Sequence, residues 1–245
     1  MKQTFVHAMM TSMGCDPAEV ATQGVSVRPS PERAENHVSA GYLFDEHLII
    51  SCDPAAEALL GPAEASCEPT LAAWNDFAIA AGGELLGAAR MQLLNSHVMP
   101  PIDVAPGYEL RQLNRGMAAD VALIQQLVDE STQDDLDEVE LDIDALNEIV
   151  MVCVDQETDK IACFADTYEF DMAPAFHDVG MLTTPPHRGK NLGKALTRHI
   201  CSHLLQQGIE PLYRCDEANV GSIRLSRALG FAPVTQLVAY RFPLT

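Results

Sequence analysis

Positive charge is what this chain lacks most. Fifteen lysines and arginines stand against 35 aspartates and glutamates, a formal net charge of −20 over 245 residues, and so acidic a protein disfavours nucleic acid as a partner. Long apolar runs are missing as well. No uncharged apolar run approaches the length of a membrane span, and Met1 to Gly14 has no apolar core of the kind a secretory signal carries, so no membrane partner is expected. The seven cysteines (Cys15, Cys52, Cys67, Cys153, Cys163, Cys201 and Cys215) show no paired spacing. An odd number without a secretory signal argues for reduced thiols and a cytoplasmic protein. No metal site is expected, because His199 and His203, four apart around Cys201, have no carboxylate in the zincin pattern and fit a helix interior or flank. The phosphate-binding strings GxxxxGK(S/T) and GxGxxG are absent.

What the chain does have is a strand-loop-helix corner at Thr184-Pro-Pro-His-Arg-Gly-Lys-Asn-Leu-Gly-Lys-Ala-Leu196. With Asn191 to Leu204 helical, Leu192, Ala195, Leu196, Ile200 and Leu204 fall on one face. The first turn then presents unpaired N–H groups and the positive end of the helix dipole, with Arg188, Lys190 and Lys194 around it. A diphosphate fits such a place. Further on, Pro211 to Cys215 reads as a strand and Asn219 to Leu229 as a helix, with Gly230 as its left-handed cap before Phe231.

These two segments resemble motifs A and B of the GNAT superfamily of N-acetyltransferases. Arg188-Gly-Lys-Asn191-Leu-Gly193 is similar to Arg/Gln-x-x-Gly-x-Gly/Ala, with Asn191 in place of the first glycine. Asparagine tolerates unusual backbone angles. Asn219-x-x-Ser222-x-x-Leu225-Ser226-x-x-Leu229-Gly230-Phe231 is similar to Asn-x-x-Ala-x-x-Leu-Tyr-x-x-Leu-Gly-Phe, with Ser226 in place of the tyrosine. The resemblance covers Tyr108 to Phe242, and the coarse element order agrees with it. Strands are expected at 108–114, 150–154, 161–170, 179–183 and 235–242, and helices at 119–128 and 141–149. The expected fold is α/β (α+β): a mixed, mostly antiparallel GNAT-like sheet flanked by helices in a domain over 107–245.

The resemblance implies acetyl transfer from acetyl-coenzyme A, as co-substrate, to a primary amine. Such a reaction needs a base for the amine, donors for the oxyanion and an acid for the departing thiolate. By position, backbone N–H groups of Met181, Leu182 and Thr183 would lie near the thioester. The pyrophosphate would lie over Arg188, Gly189, Lys190, Asn191, Leu192, Gly193 and Lys194, and Asn219, with Ser222, would approach the pantetheine arm. Candidates for the acid are Tyr213 and Ser226, with solvent as the alternative proton source for the thiolate, and for the base Asp178, Glu169 or Asp166. The departures at Asn191 and Ser226 keep open an alternative: a degenerate relative that binds acyl-coenzyme A or a small ligand without turnover, as a sensor or partner subunit.

Between Asp129 and Glu148 stand Asp129, Glu130, Asp134, Asp135, Asp137, Glu138, Glu140, Asp142, Asp144 and Glu148, with no lysine or arginine. This segment reads either as a funnel drawing in a small cationic amine or as a solvated acidic loop. The first hundred residues form an additional α/β module, a degenerate GNAT-like half or a cap, joined through a Pro- and Gly-rich linker at 97–107. A strand is expected at 48–52, helices at 54–60 and 71–81, and a strand or helix at 85–94, with Trp74 in the core. No second cofactor motif is present there. The oligomeric state stays open, with a homodimer among the expectations.

Overall fold

Alternating buried positions from both ends of the chain build one sheet. The computed structural model describes residues 1–34, 37–99, 101–139, 141, 143 and 149–243. Strands β1 (Gly24–Pro29), β2 (Val38–Phe44), β3 (His47–Cys52) and β4 (Glu84–Leu94) come from the first hundred residues. β5 (Tyr108–Leu113), β6 (Val150–Asp155), β7 (Lys160–Glu169), β8 (Phe176–Thr183), β9 (Glu210–Asp216) and β10 (Phe231–Arg241) come from the rest. Their order is β1-β3-β2-β10-β4-β9-β8-β7-β6-β5, with parallel pairing at β1–β3 and β8–β9 and antiparallel pairing between the other neighbours.

β4 crosses from one half into the other. It pairs with β10 from Glu84 to Leu94 and with β9 from Ala89 to Leu93. A strand from the N-terminal segment therefore separates two consecutive strands of the C-terminal segment.

The helices are α1 (Lys2–Ser12), α2 (Glu57–Leu60), α3 (Ala63–Ser66), α4 (Leu71–Ala80), α5 (Ala118–Glu130), α6 (Gln133–Glu138), α7 (Leu192–Gln206) and α8 (Val220–Ala228). On α7, Leu192, Leu196, Ile200 and Leu204 are buried against Met151, Cys153, Ala165 and Val179 of one sheet face. Ile124 and Leu127 of α5 pack on the other face, against Val150, Val152 and Phe164. Phe5 and Met9 of α1 join Tyr42, Met91 and Leu212. Cross-strand partners share a face, so the pairing of Asp178 with Leu212 puts α1 on the same face as α5. Trp74 of α4 is fully buried, and its Nε1–H donates to the Val238 carbonyl at 3.0 Å. β2 passes so close that a Cβ on Gly41 would lie 2.6 Å from the indole.

The expected elements stand within a few residues of their observed ends, and 85–94 is a strand. Periodicity missed α1, β1, β2, α3 and α6. The helix expected over 141–149 lies largely outside the described residues. No described helix is long and apolar enough to cross a membrane.

Candidate active site

Two depressions meet at the place where β8 and β9 part. These strands pair at Phe176–Glu210, His177–Pro211 and Asp178–Leu212, and beyond that point no pairing joins them. Val179 to Thr183 keeps β7 on one side only, and Tyr213 to Asp216 keeps β4 on one side only. Backbone groups on the facing edges are thus left to a ligand.

On the α7 and α8 side lies a groove of about 590 Å³. Met181, Leu182, Thr183, Arg188, Gly189, Asn191, Leu192, Gly193, Lys194, Asn219 and Ser222 line it, which brings together every expected cofactor residue except Lys190. The loop reaches its shape through two left-handed residues, Gly189 at φ 79° and Asn191 at φ 60°. Asn191 is the N-cap residue of α7, and asparagine is one of the few side chains that adopts that conformation readily. Gly193 lets the first turn approach β8, since a Cβ there would lie 3.0 Å from Met181 Sδ and 3.1 Å from Thr183 Oγ1. The exposed N–H groups of that turn and the helix dipole favour an anion.

Arg188 donates from Nε to the Thr183 carbonyl at 3.0 Å and from Nη2 to Asp135 Oδ1 at 2.9 Å. Asp135 also lines the groove, so a carboxylate of α6 already sits on a cation that a phosphate would use. Lys190 turns away: its Nζ donates to Tyr108 Oη at 2.6 Å and lies 5.2 Å from that ring's centroid. Arg224, not singled out by the sequence reading, lines the groove together with Gly221, Leu225 and Ala228. The spacing of those four residues is that of one helix face, and this signal was available in the motif B helix. Lys194 and Arg224 have no carboxylate partner among the described residues.

The second depression lies on the α5 side. A cavity of about 750 Å³ within the opening between β8 and β9 is lined by Asp134, Asp137, Met181, Tyr213, Asp216 and Asn219. It continues into one of about 640 Å³ over a floor of small residues that includes Gly87, Ala88, Ala89, Gly180 and Ala239. α6 therefore divides its carboxylates: Asp135 goes to the groove, and Asp134 and Asp137 to the opening.

The expected catalytic residues fall into different settings. Tyr213 is 3% exposed, packs against Phe231 at 5.4 Å between centroids and lines the opening. Burial pushes its phenol well above the ordinary range, against a smaller lowering by its hydrogen bond with Ser222, so it keeps its proton at neutral pH. Asp178 lines the trough but accepts from Arg214, backbone N–H at 3.1 Å and Nε at 2.8 Å. Glu169 is exposed in the continuation of the trough. Asp166 is buried beside Gly180, where a Cβ would meet its Oδ1 at 2.8 Å. Ser226 is fully buried, donating to Gln92 Oε1 at 3.0 Å and lying 3.1 Å from the Ile223 carbonyl oxygen; it lines neither depression. Among the described residues no group of histidine, cysteine, aspartate or glutamate is arranged to hold a metal ion.

The model of the acetyltransferase (GNAT) family matches residues 120–231. Among solved structures, a GCN5-related N-acetyltransferase from Sphaerobacter thermophilus is 16% identical, with a TM-score of 0.52 over 69% of this chain and 55% of its own. A tandem GNAT protein from the clavulanic acid biosynthesis pathway is 20% identical, with a TM-score of 0.52 over 68% of this chain and 57% of its own. A GNAT-family protein from Novosphingobium aromaticivorans is 21% identical, with a TM-score of 0.50 over 65% and 66%. The chain thus spans 55%, 57% and 66% of the length of these three, and the likeness is one of fold. No curated protein matches it.

Proposed function

Because residues 120–231 form an acetyltransferase domain of the GNAT family, we propose that the protein transfers the acetyl group of acetyl-coenzyme A to the primary amine of a small acceptor whose amine end is cationic. The observation that carries this reading is the opening between β8 and β9, which joins a groove holding cations without a carboxylate partner among the described residues to a trough holding carboxylates. The groove suits the co-substrate in charge and shape. Lys194, Arg224 and the first turn of α7 meet the phosphates, and the unpaired edge of β8 at Met181 to Thr183 meets the acyl end. When bound, acetyl-coenzyme A supplies the thioester whose acyl group is transferred.

Asp134 and Asp137 draw the ammonium form of the acceptor into the opening. Glu169, exposed where the trough continues past Asp178, takes the amine's proton through a chain of waters along the trough. Tyr213 lies next to the opening and returns a proton to the leaving thiolate, although burial makes its phenol a weaker acid than usual. Asp178 and Arg214 hold the strands at the fork.

The test is thermal stabilisation of the full chain by acetyl-coenzyme A, followed by thiol release with a panel of amines. The wild type is stabilised and Arg188→Glu is not, because a ligand bound to the native state raises its stability by mass action. Release of thiol with cationic amines, with a Michaelis constant raised at least fivefold by Asp134→Asn together with Asp137→Asn, supports the assignment. Stabilisation without release from any amine would favour a binding protein, and no stabilisation would overturn the co-substrate site.

A further inference from the structure

The trough has a far end whose chemistry differs from that of the opening. Past the Asp178–Arg214 pair it runs into a cavity of about 490 Å³, which shares Tyr168, Asp178, Arg214, Leu237 and Ala239 with the part nearer the opening. Arg33 and Tyr42 line this far cavity. Tyr42 is 3% exposed, its hydroxyl accepts from Arg33 Nη2 at 2.6 Å, and the guanidinium carbon lies 6.0 Å from its ring centroid. The same hydroxyl points its own proton at Met172 Sδ, 3.7 Å away. The guanidinium is fixed in place, yet only one of its donors is committed to Tyr42.

Among the described residues no carboxylate pairs with Arg33. Four acids, Glu32, Glu169, Asp171 and Asp178, line the same cavity. Glu32, Glu169 and Asp171 are exposed and the buried Asp178 is taken by Arg214, whereas Arg33 is half-buried. Lys190, Lys194, Arg224 and Arg227 also have no carboxylate partner among the described residues; Lys194 and Arg224 belong to the groove already assigned to phosphates, and Lys190 is held by Tyr108. A planar guanidinium held on a tyrosine, partly shielded from water and without a carboxylate partner among the described residues, is suited to a bidentate anion.

We infer that Arg33 and Tyr42 bind a carboxylate at the tail of the acceptor, so that the substrate class is a linear primary amine with a terminal carboxylate, bound amine-first at the opening between β8 and β9. This rests on the amine-acetylation reading and adds the other end of the substrate. Tyr42 is on β2, three strand-to-strand steps from β9 through β4 and β10; at about 4.8 Å each these amount to roughly 14 Å. An extended molecule of about three to four residues, roughly 10–14 Å at about 3.4 Å each, covers a distance of that order.

Glycine peptides of two to four residues and their C-terminal amides differ only in whether the tail is a carboxylate. With acetyl-coenzyme A and the full chain, the best free acid is expected to exceed its amide at least tenfold in kcat/KM, chiefly through KM. In Arg33→Gln that ratio falls to about one, and in Arg33→Lys it is intermediate, while stabilisation by acetyl-coenzyme A, which also reports folding, is retained in both. Equal use of acid and amide by the wild type, or an unchanged ratio in Arg33→Gln, overturns the inference. If no peptide is acetylated, calorimetric titration with the free acids decides. Binding that is lost in Arg33→Gln upholds the carboxylate site and counts against acyl transfer to these amines; absence of binding to the wild type overturns the site even where acetyl-coenzyme A binds.

Discussion

Asp178 accepts two hydrogen bonds from Arg214, one from the backbone N–H and one from Nε, at the last residue through which β8 and β9 still pair. The contact fixes where the strands diverge, and with it the width of the opening. Asp178→Ala is expected to lower stability by about 2 kcal/mol, below the usual loss for a fully buried pair, because the Arg214 side chain is 33% exposed. Denaturant titration measures this. Asp178→Asn, whose amide oxygen still accepts the backbone bond, recovers at least half. The acid limb of the pH–rate profile survives in Asp178→Asn and is lost in Glu169→Gln; the reverse pattern would reassign the base.

Asn191 stands at φ 60° at the start of α7. Asn191→Gly leaves both stability and acetyl-coenzyme A affinity within about twofold, since glycine accepts that conformation without steric cost. Asn191→Val costs about 1–2 kcal/mol of backbone strain and weakens affinity at least tenfold, because the N–H groups of the loop lose their common direction. Calorimetry and thermal unfolding separate the two effects.

Gln92 of β4 is 1% exposed and joins two elements of the C-terminal segment, accepting from Ser226 and donating to Cys215 Sγ at 3.4 Å. Gln92→Ala leaves a cavity and weakens both contacts, at an expected loss of about 2 kcal/mol. Ser226→Tyr, which restores the residue usual in motif B, destabilises by about 1–3 kcal/mol through overpacking and gives no gain in rate. A rate increase in that variant would show that the site lacks its acid.

His177 on β8 has a buried Nδ1 without a hydrogen-bond partner. Burial pushes its pKa below the ordinary value, and the nearby Glu169 carboxylate opposes this only in part. The unfolded chain therefore binds the proton more readily, and stability falls as the pH drops from about 6.5 through the lower folded value. In His177→Gln the unfolding free energy becomes flatter over that window, a difference that urea titrations at pH 7 and pH 5.5 resolve.

The groove was legible in the sequence because its geometry is local. Arg188 to Lys194 and Asn219 to Gly230 each fix a helix start or end by residue type alone, and all but one of the residues assigned to the groove line it. Lys190 departs because Tyr108, distant in sequence, offers its ring and hydroxyl. Ser226 departs for the same kind of reason: its partner, Gln92, comes from a strand whose place in the sheet no local pattern encodes. The far end of the trough was equally hidden, since Arg33 and Tyr42 join it from outside the motif-bearing segment.

The position of β4 also sets a timetable for folding. During synthesis β4 leaves the ribosome long before β9 and β10, the two strands that enclose it. At about 5–20 residues per second, the roughly 120 residues that separate β4 from β9, the first of them, take on the order of ten seconds to appear. Throughout that interval an 11-residue strand has no neighbour on either side, and late, non-local pairing of this kind folds slowly. The sheet is thus closed from its centre by a segment made early, and the newborn chain depends on whatever shields β4 until its flanking strands arrive.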